Sequence, residues 1–156
     1  MQTLISRAAT LWCCMALALL LSSTAHGSER VIGKLTSAQV VSVLKGEGVA
    51  DARADDDDDI LFSLNGYNVV AFVRENDYTV LRFYSAMADT AVTLQDVNEW
   101  NRTRLFTKAF LDSDGDPALE MDVDVAGGIT RARLRDAVRT YLQVHGQFLA
   151  EVVDAQ

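Results

Sequence analysis

The run from Ile60 to Ser85 constrains this chain more than any other stretch. Ile60-Leu61-Phe62-Ser63-Leu64 and Tyr67 to Arg74 are both rich in apolar, β-branched and aromatic residues, and only Asn65-Gly66 separates them. Asn-Gly supplies two residues that tolerate positive φ, which the tight two-residue hairpin requires. Asn76-Asp77 marks a further turn, and Tyr78 to Ser85 reads as the next strand. Strands joined this closely must be antiparallel, because a parallel pair needs a crossover of a dozen or more residues.

Helices flank this meander. Thr36 has Gln39 three residues on, the pattern of a capping box, and a short helix carrying Val40, Val41 and Leu44 should end near Gly46 or Gly48. Residues 49–54 read as a short strand. Asp55 to Asp59 are five consecutive aspartates, whose mutual repulsion places them in a solvated turn. Thr93 and Asp96 repeat the capping pattern ahead of a helix with Leu94, Val97, Trp100 and Asn101. Arg104 to Leu111 reads as a strand, Asp112 to Pro117 as a turn, and the next strand alternates. Leu119, Met121, Val123 and Val125 take one face, and Glu120, Asp122 and Asp124 the other. After Gly127-Gly128, Thr130 caps a long helix whose Leu134, Val138, Tyr141, Leu142, His145, Leu149 and Val152 form one apolar stripe. The order predicts an α+β two-layer domain: an antiparallel sheet, meander plus hairpin, packed by three helices.

Residues 1–27 read as a secretory signal peptide. Arg7 supplies the positive start, Ala8 to Leu21 the apolar stretch, and Ser22, Ser23 and Ala25 the small residues before cleavage after Ala25 or Gly27. The apolar stretch is shorter than the ~20 residues that span a bilayer; an uncleaved anchor is the other reading. Residues 28–35 follow as a linker, and 36–153 as a single domain. The expected location is outside the cytoplasm, in a bacterial periplasm, with no membrane span once the leader is removed. Cys13 and Cys14 both lie in the leader. The exported chain would therefore carry no disulfide, thiolate nucleophile or cysteine-based zinc site. Lys+Arg number 14 against 22 Asp+Glu, a formal net charge of -8. That balance argues against nucleic acid or an anionic membrane as the main partner, since both demand a cationic surplus.

Few residues invite chemistry. His26 is near the expected cleavage site, and His145 sits on the apolar stripe, where a packed histidine is the simpler reading than a catalytic one. Asp112, Asp114 and Asp116 suggest a weak Ca²⁺ loop, but Pro117 follows and Val123 stands where an EF-hand needs its last acid, so a turn fits better. The Asp55 to Asp59 run could attract divalent ions only weakly. Glu120, Asp122 and Asp124 have the spacing of paired catalytic carboxylates, about 6.5–7 Å, yet so has any acidic outer strand. A carboxylate-based hydrolase is the remotest reading; no cofactor is implied. Asn98 and Asn101 share a helix side with Leu94 and Leu105, read as facing the core, where their amides would tie the helix to neighbouring backbone.

The start of the last helix is less ordinary. Arg131, Arg135 and Arg139 repeat at i, i+4 and i+8, with Arg133 nearby and Gly127, Gly128 and Thr130 just ahead. A glycine loop entering an arginine-flanked helix start could bind an anion or an acidic segment, including one from a second copy. A solvated arginine face is the alternative. The apolar strand and helix faces fit packing within one chain or a homodimer interface equally well.

Leu94-Gln95-Asp96-Val97-Asn98-Glu99-Trp100-Asn101, Arg104-Leu105-Phe106-Thr107-Lys108-Ala109-Phe110, the Asp112 to Asp116 turn, the Leu119 to Val125 strand and Gly127-Gly128-Ile129-Thr130 together resemble the YbjN-type family of bacterial sensory transduction regulators. The resemblance covers roughly residues 36–150. The Asn98, Trp100, Asn101 helix followed by Phe106, Lys108 and Phe110 is its most specific part. It implies a type III secretion chaperone-like α+β fold that binds other polypeptides, and it carries no catalytic residues. The expected function is thus an exported, non-enzymatic adaptor or regulator with a protein partner; an envelope sensor of a divalent cation or small anion is the alternative.

Overall fold

The computed structural model describes residues 29–75 and 79–155. Its elements run β1 (Val31–Ile32), α1 (Ser37–Gly46), β2 (Arg53–Ala54), β3 (Ile60–Leu64), β4 (Tyr67–Glu75), β5 (Thr79–Ala86), α2 (Leu94–Thr103), β6 (Lys108–Leu111), β7 (Pro117–Asp124), β8 (Ile129–Thr130) and α3 (Arg131–Phe148), whose end widens into a π-helical turn, Leu149–Val153. The leader and the Asn76-Asp77 turn lie outside the described residues.

The main sheet has six strands in the order β2-β3-β4-β5-β7-β6, every pair antiparallel. The Asn65-Gly66 turn is as the sequence predicts: Asn65 at φ +51° and Gly66 at +89° join β3 to β4, which pair from Leu64↔Tyr67 onward. The residues read as linker contribute β1, which pairs with β8 as a separate two-stranded ladder. Both predicted capping boxes form: Thr36 with Gln39, and Thr93 with Asp96, whose pKa is lowered chiefly by its side-chain hydrogen bond from Thr93. The aspartate run closes the β2–β3 hairpin. The Asp55 carboxylate accepts from the amides of Asp57 and Asp59, which organises the turn from within.

Helices cover one face of the sheet. Ile60, Phe62, Val69, Ala71, Leu81, Phe83, Met121 and Val123 meet Val40, Leu44, Leu134, Val138 and Tyr141 in one core, where the Phe83 and Tyr141 rings stack at 4.7 Å. A second core gathers Met87, Val97, Trp100, Ala109, Leu119, Phe148 and the π turn, with Trp100 edge-on to Phe148 at 5.1 Å. The opposite sheet face carries charge over aromatic rings: Arg74 lies over Phe72 and Lys108 over Phe110.

Two further expectations change. The strand expected from Arg104 begins only at Lys108. Residues 104–107 instead form a loop in which Phe106 takes a left-handed φ of +72°. Glu120 shares its strand face with Asp122 and Asp124 but is only 7% exposed. It is enclosed because Lys108 Nζ, 2.7 Å away, and Arg82 Nη1, 3.3 Å away, close over it from the two flanking strands.

Candidate polypeptide-binding trough

Arg131, Arg135 and Arg139 of α3 point toward α1. Arg135 Nε and Arg139 Nε pair with the two oxygens of Glu47, at 3.1 and 2.6 Å. Glu47 follows the last turn of α1, where a carboxylate alone opposes the helix dipole, so the pair of guanidiniums compensates it. Arg133 pairs with Asp136 at 2.6 Å, and Arg131 Nη2 donates to Ser42 Oγ at 3.4 Å. The first-turn amide of Ala132 donates to the Glu29 carboxylate at 2.7 Å, so the chain supplies an acid of its own to this helix start. Thr130 caps the helix by accepting from the Arg133 amide. Gly128 has φ +82°, and a Cβ there would fall 2.7 Å from Val31 Cγ1 and 2.8 Å from the Ile32 carbonyl oxygen. It therefore serves the close approach of β1, whereas Gly127 faces open space. Beside these residues a groove of about 580 Å³ is lined by Arg30, Lys34, Gln39 and Arg131.

The acidic candidates have partners in the fold. Asp122 holds Arg82 in a two-pronged pair at 2.5 and 2.6 Å, which raises the arginine pKa. Asp124 accepts from the Ala126 amide. In the 112–116 turn the Asp112 carboxylate accepts from the amides of Asp114 and Asp116. Among the described residues no group of three or more His, Cys, Asp or Glu side chains is arranged to hold a metal ion. His145 is fully buried between the two cores. Its Nδ1 lies 3.3 Å from the Asn65 amide nitrogen, so it accepts that N–H, and burial lowers its pKa to about 4.

The α2 signature separates into distinct roles. Trp100 is buried, and its indole N–H donates to Thr107 Oγ1 at 3.1 Å. Asn101 acts as a substitute strand: its Nδ2 donates to the Ala109 carbonyl at 2.8 Å and its Oδ1 accepts from the Ala109 amide at 2.9 Å. That closes the outer edge of β6. The side expected to face the core is solvated instead. Leu94 is 64% exposed, and Asn98 is exposed with it. Asn101→Ala leaves both Ala109 backbone groups unpaired and is expected to cost about 2 kcal/mol in urea unfolding; a loss under 0.5 kcal/mol would show that water replaces the amide fully.

Sequence reading misses the loop after α2. Leu105 and Phe106 are 73% and 72% exposed. A bulky residue held at positive φ is a conformational outlier, costing about 1–3 kcal/mol, and such outliers concentrate at functional positions. Phe106 stands where two grooves meet. One, of about 470 Å³, runs between Met121, Val123, Asp124 and the α3 residues Arg133, Asp136 and Ala137. The other, of about 330 Å³, continues past Arg104, Gln143, Val144 and Gln147. Phe106 and Thr140 line both, which makes one trough along α3. The only sequence signal was the adjacent apolar pair, which a buried strand would carry equally well. Phe106→Gly should raise stability by about 1 kcal/mol in urea, since glycine adopts this φ without strain and the exposed ring buries little. An unchanged or lower midpoint would show the backbone to be unstrained.

An apolar ridge thus stands beside the trough, and the acids near it are ion-paired or engaged by backbone amides. Glu120 and Asp122, on one face of β7, both face guanidinium or ammonium groups. No curated protein matches the chain. The family described as "Putative bacterial sensory transduction regulator", YbjN, matches residues 36–153. That span takes in nearly all of both cores, the α2 signature and the whole trough, and the chain belongs to the YbjN family.

Proposed function

We propose that the protein is an exported, non-enzymatic regulator or adaptor whose partner in the bacterial envelope is a polypeptide. The observation that carries this reading is the exposed Leu105-Phe106 pair, with Phe106 held at a left-handed φ at the junction of the trough. Family membership supports a regulatory role, and the leader-like residues 1–27 support export. The test places a photocrosslinking amino acid at Phe106, or at Arg53 as a distant control, in the full chain within living cells. A discrete protein adduct at position 106 and none at 53 is the expected result. No adduct at 106, or equal adducts at both, would remove the reading. Export is checked in the same cells: a chain shortened by its leader should appear in the periplasmic fraction, and a full-length cytoplasmic chain would refute it.

The groove lined by Arg30, Lys34 and Arg131 favours a second reading, a small-anion sensor. A ligand present at a hundred times its dissociation constant adds about 2.7 kcal/mol, a visible rise in melting temperature. Melts in phosphate and in Ca²⁺ separate this reading from one based on the aspartate turns, and no shift in either excludes both.

A further inference from the structure

We propose that the second half of β7, Met121 to Asp124, is a strand-addition edge that takes an extended cationic segment of the partner polypeptide. The proposal rests on the polypeptide-binding reading and names its mode and chemistry.

The edge comes first. β6 pairs with β7 only from Lys108↔Glu120 to Leu111↔Pro117, while β5 pairs along β7 as far as Asp124. Continuing β6 backward would bring residues 104–107 alongside 121–124, but the left-handed Phe106 turns the chain out of that path. Among the described residues, Met121 to Asp124 therefore have no strand on that side. The Val125 amide donates to the Thr79 carbonyl on the β5 side. By strand alternation Val123 and Met121 direct their backbone groups the same way, and Asp122 and Asp124 direct theirs to the open side. An incoming strand would find two donors and two acceptors there. The outer edge of β6 differs, because Asn101 already occupies the Ala109 backbone groups.

The trough supplies the side-chain contacts. Phe106, Met121, Val123 and Ala137 give the groove beside this edge an apolar wall. Along α3, from Arg133 to Gln147, the trough is about 21 Å long at 1.5 Å per residue. That length suits six or seven extended residues.

Charge selects the occupant. The groove beside the edge is lined by Asp122, Asp124 and Asp136; Arg82 pairs with Asp122 and Arg133 with Asp136, so Asp124 carries the local negative excess, in a chain of net charge -8. A second copy presenting its own β7 edge would set aspartates against aspartates, which is destabilising. The same acids that guard the edge against self-pairing attract a strand alternating cationic and apolar residues, with the apolar set on the trough wall.

The test titrates the purified chain with a heptapeptide alternating lysine or arginine with valine, blocked at both ends. Controls carry glutamate in place of the cations, or N-methyl groups on alternate amides. The cationic peptide should bind and slow hydrogen exchange at the Asp122 and Asp124 amides at least tenfold. Both controls should bind at least tenfold more weakly. The chain carrying Asp124→Lys and Asp136→Lys should lose at least fivefold in affinity. Equal binding of the N-methylated peptide, or no slowing at those two amides, overturns strand addition. Slowing that rises with protein concentration alone, together with a dimer in sedimentation, overturns the choice of occupant in favour of a second copy. A protein adduct at Phe106 in cells with an unprotected edge defeats this proposal and leaves the polypeptide-binding reading standing. A protected edge without an adduct removes the polypeptide-binding reading and, with it, the partner named here, leaving only the peptide affinity of the edge.

Discussion

Trp100→Ala is expected to remove about 4 kcal/mol of folding stability. The indole is buried, meets Phe148 edge-on at 5.1 Å and donates its N–H to Thr107. Truncating a buried Trp to Ala costs about 3–5 kcal/mol through lost transfer energy and the cavity left behind. Two further losses act locally: Thr107 loses its donor, and Arg104 loses the ring it lies over at 5.4 Å. Urea unfolding should show a lower midpoint with an unchanged slope. Trp100→Phe should recover more than half of the loss, because it refills most of the cavity and omits only the hydrogen bond. A loss below 2 kcal/mol for alanine would mean that α2 and the π turn collapse into the space.

The second large effect is acid sensitivity from His145. Its pKa is about 4 in the fold, where burial disfavours the imidazolium, against about 6.5 in an unfolded chain. Between those values the unfolded chain takes up a proton that the folded one refuses. Stability is thus fully present above about pH 6.5 and falls as pH drops toward 4. The full span corresponds to at most about 3 kcal/mol at 1.36 kcal/mol per unit. Asp96 and Glu99, whose pKa values are lowered by hydrogen bonds from Thr93 and Arg102, contribute stability that is lost at lower pH still, as those carboxylates protonate. The check is unfolding at pH 7, 5.5 and 4.5 for the native chain and for His145→Leu. The variant, although weaker at pH 7 for lack of the Asn65 hydrogen bond, should show a much flatter dependence. Equal slopes would assign the acid sensitivity to carboxylates.

What the sequence discloses is local. Asn65-Gly66, Thr36 with Gln39, Thr93 with Asp96, and the stripe on α3 each state their structure within a few residues, and each forms. What it withholds depends on partners far along the chain. The arginine repeat on α3 is legible, but not that Glu47, about ninety residues earlier, receives Arg135 and Arg139. Glu120 obeys the alternation of its strand and is nonetheless enclosed, because Lys108 and Arg82 arrive from two other strands. The 104–107 loop is harder. No glycine marks its positive φ, and the Trp100 indole that holds the Thr107 hydroxyl comes from the preceding helix. A run with good strand composition thereby becomes the ridge of the candidate site.

The helix α3 belongs to both cores: it gives Leu134, Val138 and Tyr141 to one and Val144 and Phe148 to the other. Neither cluster can melt while the other keeps this helix intact, so the chain is built to unfold in a single cooperative step. Amides at the middle of α3, near Tyr141 and Val144, should exchange with solvent only through global unfolding. The trough runs along this same helix, so a segment bound anywhere in it would raise the melting point of the entire domain.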